Sequence, residues 1–238
     1  MCSHLSVINF KMVKVVAVAD THNAHQMITV PDGDVFICAG DWTMIGGKKQ
    51  IKDFLDWVEA LPHLHKIVIA GNHDLDMDPE TPMFSDLKME ELLAQYPNIH
   101  YLSDTGVRID VKGRFLNVWG SPFSPKFQDW AFQYEPGERT WDAIPDDTDI
   151  LVTHTPPKHI LDTVVRKDGR EANAGCSQLR ERVMKLKPKA HIFGHLHYDG
   201  GKMIIQNGTT FVNAAIGYRD EWFPDETPEP VVFELFPN

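Results

Sequence analysis

An α/β fold, with β-sheet layers covered by helices, is what this sequence predicts. Three observations carry that expectation. Apolar runs of strand length recur at Val13–Ala19, Val35–Ala39, Lys66–Ala70, Arg114–Trp119, Ile150–Thr153, His191–Phe193, Thr210–Asn213 and Val231–Phe236. Several are apolar at consecutive positions, as expected of strands covered on both faces. Segments with helical spacing of apolar residues lie between them.

The first such segment, Lys49–Leu61, places Ile51, Phe54, Leu55 and Val58 on one face, after Gly46-Gly47 and before Pro62. Ser85–Tyr96 repeats the pattern through Leu87, Leu92 and Leu93. Ser177–Leu186 does so through Leu179, Val183 and Leu186, with Ser177 read as N-cap and Pro188 beyond. The acidic, proline-containing stretches Pro136–Asp149 and Pro224–Pro230 read as loops, and neither marks a domain boundary. With 238 residues and 42% hydrophobic content, one domain over residues 1–238 is the expectation.

A net charge of −11 leaves no basic surplus for a long polyanion, so nucleic acid is not an expected partner. Three cysteines, Cys2, Cys38 and Cys176, form no CxxC motif or even-numbered framework, which suits a reducing compartment. The first residues lack a signal-peptide pattern, and no apolar run approaches the ~18 residues of a membrane span. The expectation is a cytoplasmic protein without a membrane partner.

Five of the apolar runs end in groups able to hold a metal: Asp20-Thr21-His22, Gly40-Asp41, Gly71-Asn72-His73-Asp74, His154 and Gly194-His195-Leu196-His197. Side chains just past the carboxyl ends of strands converge on one crevice, so residues distant in sequence can share a site. Asp supplies anionic oxygen, His neutral nitrogen and Asn a carbonyl oxygen, a set suited to Mn²⁺, Fe or Zn²⁺. Gly40, Gly71 and Gly194 would let backbone pass close to the ions.

In this ordered pattern the sequence resembles the calcineurin-like metallophosphoesterases, whose signature runs D-x-H, G-D, G-N-H-[DE], H and G-H-x-H. The resemblance covers Asp20 to His197 and implies a four-layer αββα sandwich, with two mixed β-sheets flanked by helices. It also implies two divalent ions, with Mn²⁺ favoured. Asp20, His22 and His197 would hold one, Asn72, His154 and His195 the other, and Asp41 would bridge them. Longer matches at Trp119 to Pro125, Trp130 to Phe132, Gly175-Cys176, Lys187 to His195 and Thr209 to Ala215 are similar to the metallophosphoesterase-domain-containing (MPPED) branch.

That resemblance implies hydrolysis of a small phosphoester by hydroxide from a bridging water, with a phosphodiester such as a cyclic nucleotide favoured over a monoester. A phosphomonoesterase or a low-activity metal-binding scaffold is the alternative. His73 would be a catalytic residue that binds no metal, with Asp74 placed to orient it. Oligomeric state is not legible in the pattern. The aromatics of Phe123–Phe132 and the buried-type His191 and Cys176 read as packing, and Lys126 and Arg139 as surface groups.

Overall fold

The computed structural model describes residues 12–80, 88–216 and 229–235. The chain runs through strands β1 (Val13–Val18) and β2 (Val35–Ala39), helix α1 (Lys48–Glu59), β3 (His65–Ile69), α2 (Met89–Leu93) and β4 (Ile99–Tyr101). It continues through β5 (Thr105–Val111), β6 (Arg114–Ser121), β7 (Ser124–Pro125), β8 (Gln133–Tyr134) and β9 (Ile150–Thr153). Then follow β10 (Thr163–Val165), β11 (Glu171–Asn173), α3 (Ser177–Leu186), β12 (Ala190–Phe193), β13 (Met203–Gln206), β14 (Thr209–Asn213) and β15 (Val231–Leu235).

One sheet has the order β15-β1-β2-β3-β4, parallel from β1 to β4 with β15 antiparallel at its edge. The other has the order β13-β14-β12-β9-β6-β5, parallel in its middle and antiparallel at both edges. Both are therefore mixed, as expected. Successive strand residues point to opposite faces, and the burial divides accordingly. Val13, Val15, Ala17, Ile37 and Ile69 meet Leu116, Val118, Ile150, Val152, Ile192 and Val212 in a core between the two sheets.

The outer face of the first sheet, through Val16, Val18, Phe36 and Cys38, is covered by Ile51, Phe54, Leu55 and Val58 of α1. The outer face of the second, through Leu151, Phe193 and Phe211, is covered by Leu179 and Val183 of α3. Helix, sheet, sheet and helix make the four-layer sandwich. Each fully buried aliphatic or aromatic side chain contributes about 1.5–3 kcal/mol, which explains why the strands are apolar on consecutive positions. No described helix is long and apolar enough to cross a membrane.

Several local expectations change. Of the anticipated helix Ser85–Tyr96, residues 85–87 lie outside the described residues, and α2 spans only Met89–Leu93. Pro97 lies just past this short helix, and Lys88 gives its start no side-chain cap. The N-cap of α3 is Cys176, not Ser177: its sulfur accepts from the Leu179 amide at 3.3 Å. Edge strands β5 and β13 lie outside the anticipated runs. Val231–Phe236 appears as β15 up to Leu235, and Phe236 lies outside the described residues.

Candidate metal centre

Each anticipated donor leaves the carboxyl end of a parallel strand: β1 leads to Asp20 and His22, β2 to Asp41, β3 to Asn72, β9 to His154, and β12 to His195 and His197. The loops are knitted together beyond the strands. The Asp20 amide donates to the Gly40 carbonyl at 2.9 Å, and the His22 amide to the Asp41 carbonyl at 3.0 Å. Within the second sheet the Gly194 amide donates to the His154 carbonyl, and across the sandwich the His195 amide donates to the Asp20 carboxylate at 2.9 Å. Trp42 fixes the loop after β2, its indole N–H donating to the Ile69 carbonyl at 3.0 Å and its ring stacking on Phe54.

Two groups of donors result, with ligand atoms within 4.8 Å of one another: Asp20, His22 and His197 in one, Asp41, His154 and His195 in the other. His22, Asp41 and His73 form an overlapping third group, which joins them. Asn72 belongs beside the second, its Oδ1 3.0 Å from His154 Nε2. Asp20, His22, Asp41, Asn72 and His154 are buried, whereas His73, His195 and His197 are half-buried. The site therefore opens to solvent along those three imidazoles.

The backbone here is strained in a way no residue type announces. Asp20, His22, Asp41 and His195 all have positive φ, between 42° and 67°. Such left-handed conformations cost energy in residues with a Cβ and cluster at functional sites. Glycine is required for close approach at two turns. A Cβ on Gly71 would lie 2.6 Å from the Asp41 amide nitrogen and from His154 Cε1, and one on Gly194 would collide with the Asp20 carboxylate.

Charge is balanced within the group. Burial works to raise the Asp41 carboxyl, but neighbouring His154, then His22 and His73, hold it well below the usual carboxylate range. Burial works to lower His154, yet Asp41 at 3.3 Å pushes it up to about 9. Asp20 and His197, 3.1 Å apart, shift in the same opposed senses, with burial acting against each shift. Burial, and then the charge of His154, brings His195 down to about 3. Burial also lowers His22.

This donor set fits two divalent cations. It offers carboxylates at the centre and neutral or displaceably protonated imidazoles around them, without a thiol. Histidine ligates in its neutral form, so a cation held by His154 and Asp41 would supply the positive charge beside the Asp41 carboxylate.

Asp74 does not hydrogen-bond to His73. Its carboxylate accepts from Thr43 N at 2.9 Å, Thr43 Oγ1 at 2.7 Å and Gly71 N at 2.8 Å, closing the turn that carries Asn72 and His73. Burial, then the negative Asp41, pushes it up to about 7. The ring of His73 is instead held by the Met44 carbonyl, 2.8 Å from Nδ1. A main-chain oxygen leaves no signature in side-chain pattern, so sequence reading missed it. The aromatic loop divides: Phe123 and Phe132 pack edge to face, whereas Trp130 stacks on His73. His191 is buried in the sheet, its Nε2 2.8 Å from Thr153 Oγ1, and Arg139 pairs with Asp104.

The family model of the calcineurin-like phosphoesterases matches residues 13–199, which include every one of these donors. The chain belongs to this family. Its members are metal-dependent phosphoester hydrolases, in keeping with the donor groups found here. The chain is 37% identical over 220 residues to human metallophosphoesterase domain-containing protein 1, covering 84% of this chain and 65% of that protein. It is 39% identical over 198 residues to probable rhamnogalacturonate lyase C of Emericella nidulans, covering 82% of this chain and 18% of that protein. This family member thus spans less than two thirds of the length of either relative. Its fold resembles that of phosphopantetheinyl hydrolase from Mycobacterium tuberculosis, with a TM-score of 0.58 at 16% identity, covering 92% of this chain and 95% of that one.

Proposed function

We propose that the protein is a dinuclear metal-dependent phosphodiesterase that hydrolyses small phosphodiesters such as cyclic nucleotides. The observation that carries this reading is the convergence of two donor groups sharing one buried wall, with His73 at their junction. Asp20, His22 and His197 would hold one ion, Asn72, His154 and His195 the other, and Asp41 both. When bound, such ions polarise phosphoryl oxygens and acidify water.

The chain's own residues supply the rest. The Met44 carbonyl only accepts, so Nδ1 of His73 carries a hydrogen, and the ring acts as an acid in its imidazolium form, passing the second proton, on Nε2, to the departing oxygen and keeping the one on Nδ1. Asp74 acts on this step indirectly, by closing the turn through Thr43 and Gly71. Substrate would approach where His73, His195 and His197 reach solvent.

The preference for a diester rests on charge. The groups that most perturb the site residues are Asp and His, with no Lys or Arg among them. A diester carries one negative charge, whereas a monoester approaches two at neutral pH. A site whose strongest charged neighbours include no Lys or Arg favours the former, and a cyclic nucleotide is a compact example. The mixed oxygen and nitrogen donors suit Mn²⁺, Fe or Zn²⁺, and Mn²⁺ is the ion taken into the test. Free, buried Cys38 and Cys176 suit work in a reducing cytoplasm.

The test is hydrolysis of bis-para-nitrophenyl phosphate and para-nitrophenyl phosphate by metal-stripped protein, before and after addition of Mn²⁺. Diester cleavage restored by the metal is expected. Preference for the monoester would replace this reading with a phosphatase, and no turnover of either despite bound metal would leave a scaffold.

A further inference from the structure

Trp130 contributes no donor atom, yet its indole lies on the imidazole of His73 with ring centroids 4.0 Å apart and planes inclined by 29°. Among the described residues the His73 ring also meets the Met44 carbonyl at Nδ1 and the ring of His22, edge to face at 4.7 Å. The hydrogen bond at Nδ1 fixes which nitrogen is free, but it permits the ring to swing about the N–H···O axis. A broad aromatic face beside the ring removes that freedom.

The loop that carries Trp130 is tied to the same turn as His73. The Ala131 amide donates to the Asn72 carbonyl at 3.1 Å, and the Phe132 amide to the Asp78 carboxylate at 2.8 Å. The Ser124 amide in turn donates to the Phe132 carbonyl at 2.9 Å, pairing the loop's two limbs. The indole is therefore placed relative to His73 by main-chain bonds, and not by contact of the two rings alone.

We propose that Trp130 is a positioning residue, which holds the His73 imidazole in the one orientation that directs Nε2 into the metal centre. The proposal rests on the reading of His73 as the proton donor of a phosphoester hydrolase. A misplaced catalytic group can cost up to about 100-fold in rate, and loss of one of three restraints is expected to cost about tenfold.

The experiment combines kinetics on bis-para-nitrophenyl phosphate with NMR of the histidine ring protons. Trp130→Leu should lower kcat about tenfold in Mn²⁺-loaded protein while KM and metal content stay unchanged. Trp130→Phe should recover most of the loss, because a phenyl ring can still stack. In a His73→Ala background, Trp130→Leu should have no further effect. In metal-stripped protein, the His73 ring signals, assigned by their loss in His73→Ala, should be shifted upfield by the indole current and return downfield in Trp130→Leu. Unchanged kcat in Trp130→Leu, or a loss that simply adds to that of His73→Ala, would overturn the proposal. If wild-type protein hydrolyses no phosphoester, the enzymatic reading fails by itself. The ring signals then decide the positioning alone: unmoved signals in Trp130→Leu reject it.

Discussion

Asp41 and His73 are joined by a hydrogen bond, His73 N to Asp41 Oδ1 at 2.8 Å, yet their tasks are separable. Asp41 contributes a ligand atom to the group with His154 and His195 and to the overlapping group with His22 and His73, whereas the His73 ring is held by Met44, His22 and Trp130. His73→Ala is therefore expected to slow diester turnover by about 10²- to 10⁴-fold, the usual worth of general acid catalysis, with metal content nearly intact. Asp41→Asn should lower turnover and metal content together. Kinetics alongside elemental analysis of the two purified variants checks this, and a fully active His73→Ala protein would remove the assigned role. Gly71 gives a second test at this scale. A methyl there would press on Asp41 and His154, so Gly71→Ala should cost about 1–3 kcal/mol in urea unfolding and reduce metal stoichiometry. An alanine variant with wild-type stability and full metal content would show that the turn has room to give.

The elements explain why so much of this site was legible in sequence. Strands β1, β2, β3, β9 and β12 are buried on both faces, so each is a short apolar run that stops abruptly at a polar group. The ligand follows the run directly, and local pattern records both. The edge strands β5 and β13 write no such signal. β5 alternates charged Arg108 and Asp110 with buried Ile109 and Val111, and β13 exposes Met203, Ile204 and Ile205. Contacts made by backbone atoms are equally silent, as are the positive φ angles at Asp20, His22, Asp41 and His195. The start of α3 was misread for a chemical reason. Ser177 is the stronger oxygen acceptor, but Cys176 has the extended backbone of a cap and its sulfur reaches Leu179 N. Cys176→Ala should accordingly cost about 1 kcal/mol in urea unfolding, with Cys176→Ser recovering the cap through its hydroxyl. Equal stability of wild type and Cys176→Ala would mean that the sulfur contributes only packing.

The two sheets of the sandwich share one apolar core, and the candidate metal centre lies where both end. Neither donor group belongs to a single sheet. Asp20 and His22 follow β1 of the first sheet while His197 follows β12 of the second, and Asp41 follows β2 while His154 and His195 follow β9 and β12. Each cation would therefore tie the sheets together, and opening the sandwich would require releasing it. A ligand that binds only the folded state, present at 100 times its Kd, stabilises by about 2.7 kcal/mol. At about 2–4 °C per kcal/mol for a chain of this size, each Mn²⁺ ion held at that excess should raise Tm by about 5–11 °C over metal-stripped protein. Circular dichroism melts at matched protein concentration measure the shift. Asp20→Asn should reduce it by weakening one of the two groups, without disturbing the apolar core that both states share. Equal melting temperatures with Mn²⁺ demonstrably bound would mean that the sheets separate without releasing the ions, and that the core alone holds the sandwich closed.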